Sequence, residues 1–141
     1  MSVTGFLSAR WRIRLPAVHY LIDAMNVIAT RGDGWWRDRQ RAMSDLVGLL
    51  DRWSTQNAQE VTVVFEGPPS KPIRSELIEV SHAPKARRDS ADEEIVRRLG
   101  AESDPGEIVV VTSDRALAER VRALGATVRS ASAFRGELDA L

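Results

Sequence analysis

The chain has 141 residues, 43% hydrophobic and 28% charged, with 20 basic and 20 acidic side chains, two histidines and no cysteine. That length and balance suit one globular domain with its own core and exclude a disordered or membrane-like chain. No apolar run approaches the ~20 residues that span a bilayer, and a chain without cysteine has no disulfides, thiolate zinc sites or cysteine nucleophiles.

A cytoplasmic location is therefore expected. All the basic residues but Lys71 and Lys85 are arginine. Arginine suits phosphate and base contacts, and a GC-rich coding sequence produces the same excess.

Residues 8–15 alternate strictly, with Trp11, Ile13 and Leu15 on one side and Arg10, Arg12 and Arg14 on the other. Period two predicts a half-buried strand: either a basic rim that touches phosphates or an edge strand whose charges deter aggregation. Residues 1–16 are thus expected to be a basic extension or edge strand of a single domain spanning 1–141. After Pro16, the apolar run of Ala17, Val18, Tyr20, Leu21 and Ile22 stops at Asp23, with Asn26 three residues on. It predicts a buried central strand that delivers Asp23 to the lip of a sheet.

Residues 27–34 read as a loop from their glycines and polar residues. A helix is predicted from Trp35 or Trp36 to Trp53, with Met43, Leu46, Val47, Leu50 and Trp53 on its buried face. Trp35 and Trp36 stand beside the Asp23 loop, either as platforms for exposed bases or packed on the sheet. A second strand over 61–65 runs into Glu66 and is stopped by Gly67-Pro68-Pro69, because proline lacks the amide donor.

A short strand over 77–80 leads to the basic loop His82-Ala83-Pro84-Lys85-Ala86-Arg87-Arg88. Asp92-Glu93-Glu94 then open a helix that stops near Gly100. The apolar strand 108–112 passes through Ser113 into Asp114. The next helix, from about Asp114 to Leu124, is expected to bury Leu117, Val121 and Leu124 and to end at a left-handed Gly125. A last strand near 126–128 precedes a tail in which Phe134 docks. This alternation predicts an α/β fold, a three-layer α/β/α sandwich on a mostly parallel sheet.

In such sheets ligands bind beyond the carboxyl ends of the strands. Asp23, Glu66 and Asp114 occupy that position on three strands, and Asp92 opens a helix. Each has a structural alternative. Ser90 and Glu93 fit a capping box, Ser113 or Asp114 can cap the next helix, and Glu66 can be a solvated turn residue.

Together they repel unless a cation sits among them, and a hard divalent ion such as magnesium or manganese takes oxygen ligands. Zinc is disfavoured, since His19 and His82 supply too little nitrogen. His19, inside the first strand, is expected to be a packed core residue. Lys85, Arg87 and Arg88 lie just before the Asp92 helix, where a phosphodiester would need positive charge.

Four segments carry a resemblance: Tyr20-Leu21-Ile22-Asp23-Ala24-Met25-Asn26, Val63-Val64-Phe65-Glu66-Gly67-Pro68-Pro69, Ser90-Ala91-Asp92-Glu93-Glu94 and Val110-Val111-Thr112-Ser113-Asp114. In that order they resemble the YacP-like NYN domain of the PIN-like ribonuclease superfamily, over about residues 17–135. The chain departs at Ala24-Met25, where the family usually has Gly-Tyr, and at Glu66-Gly67, where it often has Asp-Gly.

The resemblance implies an endoribonuclease dependent on Mg2+ or Mn2+, cleaving RNA by water attack to leave a 3′-hydroxyl and a 5′-phosphate. Asp23, Asp92 and Asp114 would hold the metal, Asn26 would orient a ligand or the substrate backbone, and Glu66, Glu93 and Ser113 would support them. Arg31, Lys85, Arg87, Arg88, Trp35 and Trp36 would bind RNA. The expected partner is single-stranded or loop RNA, with ribosome association and a homodimer as further expectations, and no membrane. The rival readings are a catalytically inactive RNA- or ribosome-binding module, a toxin-type ribonuclease held by a partner protein, and a receiver-like signalling domain.

Overall fold

The computed structural model describes residues 18–84 and 90–141. The strand expected over 8–15 and the cations Lys85, Arg87 and Arg88 lie outside the described residues.

Among the described residues, five parallel strands, β1 (His19–Asp23), β2 (Glu60–Phe65), β3 (Glu79–His82), β4 (Ile108–Val111) and β5 (Thr127–Arg129), form one sheet in the order β3-β2-β1-β4-β5. Central parallel strands are covered on both faces, which is why β1, β2 and β4 are nearly continuous apolar runs. The described α-helices that flank them are α1 (Ala24–Ile28), α2 (Arg39–Asn57), α3 (Ser90–Gly100), α4 (Arg115–Ala123) and α5 (Ala131–Asp139).

Side-chain alternation divides the core in two. Ile22, Val61, Val63, Phe65 and Val111 pack with α1, α2 and α5. Leu21, Val64, Ile108 and Val110 pack with α3 and α4. The predicted three-layer sandwich is thus present, and Met43, Leu46, Val47, Leu50 and Trp53 form the buried face of α2 as the spacing requires. Trp53 sits in an aromatic cluster with Tyr20 (ring centroids 4.7 Å apart) and Phe134 (5.0 Å). Its indole N–H donates to the Glu137 carboxylate, so this large buried ring leaves no polar atom unpaired.

Several local expectations are corrected. Val27 and Ile28 are not loop residues but close α1, because burial of these side chains with Ala24 and Met25 favours a helical turn over the loop their neighbours suggest. The helix expected from Trp35 is interrupted. Gly34 adopts φ 80°, Trp35–Arg37 form a 3-10 turn, and α2 begins only after Asp38, whose carboxylate accepts the Arg41 N–H at 3.1 Å. A capping aspartate here outweighs the helical periodicity.

The third strand starts two residues late, since the Ser75 hydroxyl accepts the N–H groups of Leu77 and Ile78 in a turn. His82 consequently ends β3 rather than opening a loop. Gly125 is left-handed (φ 94°), as predicted, but Leu124 just before it is exposed and not part of the core. The tail is helical: Ser130 caps α5, and Phe134 and Leu138 are fully buried. His19 is only half-buried, and its Nε2 pairs with the Thr62 hydroxyl at 2.7 Å instead of packing in the core. No described helix is long and apolar enough to cross a membrane.

Candidate functional site

Strand order reverses between β1 and β4, because β1 to β3 grow the sheet one way and β4 and β5 the other. The carboxyl ends at such a switch point leave an open crevice. Here it is a cleft of about 490 Å³ lined by Asp23, Asn26, Trp35, Glu66, Asp92, Ser113 and Asp114, among others. Each acid arrives by a different route. Asp23 ends β1 on the same face as Leu21, the face covered by α3 and α4. Asp92 lies in the first turn of α3, Asp114 caps α4, and Glu66 follows the last residue of β2.

Register explains the central contact. Ile22 pairs with Val111, which places Thr112 beside Asp23. The Thr112 hydroxyl donates to Asp23 Oδ2 at 2.8 Å and accepts the Asp114 N–H at 3.1 Å. Thr112 is 1% exposed and Asp23 4%, so this link between β1 and the start of α4 is dry.

Nearby, Asn26 Oδ1 accepts the Ser113 N–H at 2.8 Å, and the Ser113 hydroxyl accepts the Ala131 N–H at 2.9 Å. Asn26 and Ser113 therefore fix the loop after β4 to α1 and α5. Asp114 accepts the Leu117 N–H at 2.9 Å, so its capping role is real, and it faces the cleft as well.

The electrostatics are those of a buried acid with other acids nearby. Burial pushes the Asp23 carboxyl from 3.8 up to about 7; the Thr112 hydrogen bond opposes the rise, and Asp92, Asp114 and Glu66 add to it. A buried carboxyl near carboxylates gives up its proton reluctantly, and a cation would reverse that. The donors are all oxygens, which suits a hard divalent ion. Among the described residues, no three histidine, aspartate or glutamate side chains already stand as a group able to hold an ion. The fit is one of donor chemistry and location.

The model of the YacP-like NYN domain matches residues 20–141. The chain belongs to that family. Two solved structures share the architecture, both of Rae1 (YacP) from Bacillus subtilis. A mutant form aligns with TM-score 0.72 at 20% identity, covering 87% of this chain and 76% of its own. The other aligns with TM-score 0.72 at 22% identity, covering 86% and 73%. No curated protein matches the chain.

Not every expected residue reaches the NYN cleft. Glu93 turns outward to Arg120 at 3.0 Å, because the residue after Asp92 points about 100° away around the helix. Arg31 is held by Asp139 at 2.7 Å and lines a separate arginine-rich pocket. Trp35 lines both that pocket and the cleft, whereas Trp36 is 56% exposed and lines neither. Two contributors were not anticipated from sequence. Thr112 reads as the end of a strand, although a hydroxyl at the end of an apolar run one strand from an acid is a usable signal. Arg39, 3.8 Å from the Glu66 carboxylate, carries no sequence signal beyond its charge.

Proposed function

We propose that this NYN domain is a metal-dependent endoribonuclease acting on single-stranded or loop RNA. The observation that carries the reading is the gathering of Asp23, Asp92 and Asp114 around one cleft at the switch point, with Glu66 at its rim. Burying Asp23 beside acids so distant in sequence is costly unless a bound cation offsets their charge. Family membership supports the same direction.

In this reading Asp23, Asp92 and Asp114 hold Mg2+ or Mn2+, and Glu66 supports them from the rim. The bound ion would supply Lewis-acid stabilisation of the phosphate and a water acidic enough to attack it. The chain's own residues do the rest. Thr112 fixes one Asp23 oxygen, so the carboxylate meets its ligand in a set orientation. Asn26 and Ser113 hold the loop carrying Asp114. Trp35 lines the cleft wall and is proposed as a contact for a base. Lys85, Arg87 and Arg88 are proposed as phosphate contacts on sequence position alone.

The test is incubation of purified protein with structured and unstructured RNA in magnesium, manganese or chelator, beside Asp92→Asn combined with Asp114→Asn. Cleavage is expected only with metal and intact acids. RNA binding that survives both chelation and the double substitution, with no cleavage by the wild type, would replace the enzyme with a binding module.

A further inference from the structure

The acid cleft does not end at Glu66. A second groove of about 540 Å³ continues from it, sharing Met25 and Glu66 and lined further by Arg39, Gln40, Pro68 and Ser70. This volume lies within the roughly 300–1,000 Å³ typical of small-ligand sites. The groove runs between the start of α2 and the 67–70 loop, and its wall is held in place. Gln40 Oε1 accepts from the Ser70 hydroxyl at 3.0 Å and the Lys71 N–H at 3.2 Å, while its Nε2 donates to the Lys71 carbonyl at 2.9 Å. Pro68 and Pro69 stiffen the same loop. A wall built this way loses little entropy when a ligand settles against it.

Arg39 is the one cation that lines either half of this continuous groove among the described residues. Its guanidinium lies 5.6 Å from the centroid of the Trp35 ring, which orients it without using its N–H donors. Its approach to Glu66, at 3.8 Å, is too long for a hydrogen bond, and both side chains are substantially exposed. The fork therefore lines the groove with N–H donors to spare, and guanidinium geometry matches a phosphate. An RNA strand whose scissile phosphate lies at the acids needs a neighbouring cation to offset the carboxylates it crosses.

We propose that this second groove is the subsite for the nucleotide next to the scissile phosphate, with Arg39 contacting that nucleotide's phosphate. The assignment rests on the ribonuclease reading for the place of the scissile group, but its test does not depend on cleavage. Binding of a labelled single-stranded RNA oligonucleotide is measured in chelator across a salt series.

Arg39→Ala should weaken binding roughly tenfold and make the slope of log affinity against log salt shallower by about 0.7, the release of one contact on a single strand. Arg39→Lys should restore most of the slope, a response that a structural role would not give. Arg41→Ala, one exposed arginine further along α2 and facing Asp45, should leave the slope unchanged. Gln40→Ala should weaken binding with the slope intact, by loosening the wall.

An unchanged slope in Arg39→Ala, an equal loss in Arg41→Ala, or no effect of Gln40→Ala would overturn the subsite. A wild type that shows the Arg39-dependent slope yet cleaves nothing with manganese would sink the ribonuclease reading instead.

Discussion

Two groups of acids in this small domain are treated in opposite ways. On the far side of β2, Glu79 and Glu94 are met by arginine. Arg98 reaches Glu79 at 2.9 Å and Glu94 at 2.9 Å, Arg97 reaches Glu94 at 2.6 Å, and Thr62 donates to Glu79 at 3.0 Å. The Arg98 hydrogen bond holds the Glu79 carboxyl below its ordinary value, and Arg97 does the same for Glu94. At the switch point, Asp23 has other acids and a threonine for company, and burial pushes it up to about 7. The first group joins β3 to α3 and is complete as it stands. In the second, buried Asp23 works against stability at neutral pH, a cost that the proposed cation would offset.

The difference predicts opposite pH behaviour. Asp23 binds its proton more tightly folded than unfolded, so stability falls as pH rises from about 4 to about 7, by on the order of 4 kcal/mol at most. Glu79 and Glu94 bind their protons less tightly when folded. Their contribution is complete above the ordinary glutamate value of 4.5 and is lost as pH falls through their lowered values.

Asp23→Asn should therefore have the largest effect, in two directions. Cleavage should fall at least a hundredfold with the loss of a proposed metal ligand. Denaturant midpoints at pH 8 should rise, and the decline in stability between pH 4 and 7 should vanish. A decline that persists in the variant would assign it to another group. Arg98→Met should cost about 1–2 kcal/mol at pH 7, since Glu94 is largely buried while Glu79 stays wet. RNA cleavage should be unaffected, and chemical denaturation beside a cleavage assay measures both.

Thr112→Val removes the hydrogen bond that holds the Asp23 carboxyl down and the acceptor for the Asp114 N–H. It should cost about 1 kcal/mol and shift the acidic limb of the cleavage profile to higher pH. Glu93→Gln should do least: no measurable change in cleavage or thermal midpoint, since that acid faces Arg120 in solvent.

What was legible in the sequence follows from the same physics. Apolar runs that stop at an acid mark central parallel strands, so β1, β2 and β4 and the acids beyond them could be placed by reading along the chain. The two faces of the sheet follow from period two. Illegible features depend on partners far away in sequence. Val27 and Ile28 join α1 because α2 and α5 cover them. Asp38 breaks the predicted helix because its carboxylate finds the Arg41 N–H.

Asp92 and Glu93 are adjacent letters, yet one lines the cleft and the other meets α4, a choice set by how α3 is rotated on the sheet. Thr112 looks like the end of a strand until the β1–β4 register sets it against Asp23.

The most direct test of metal binding at the acid cleft is a calorimetric titration of Mn2+ into the protein near pH 7, repeated in buffers of different ionisation enthalpy. Saturable binding with net proton release is expected, because the ion must displace the proton that Asp23 partly retains there, and Asp92→Asn with Asp114→Asn should abolish both. Absence of Mn2+ binding, or binding indifferent to those two substitutions, would contradict it.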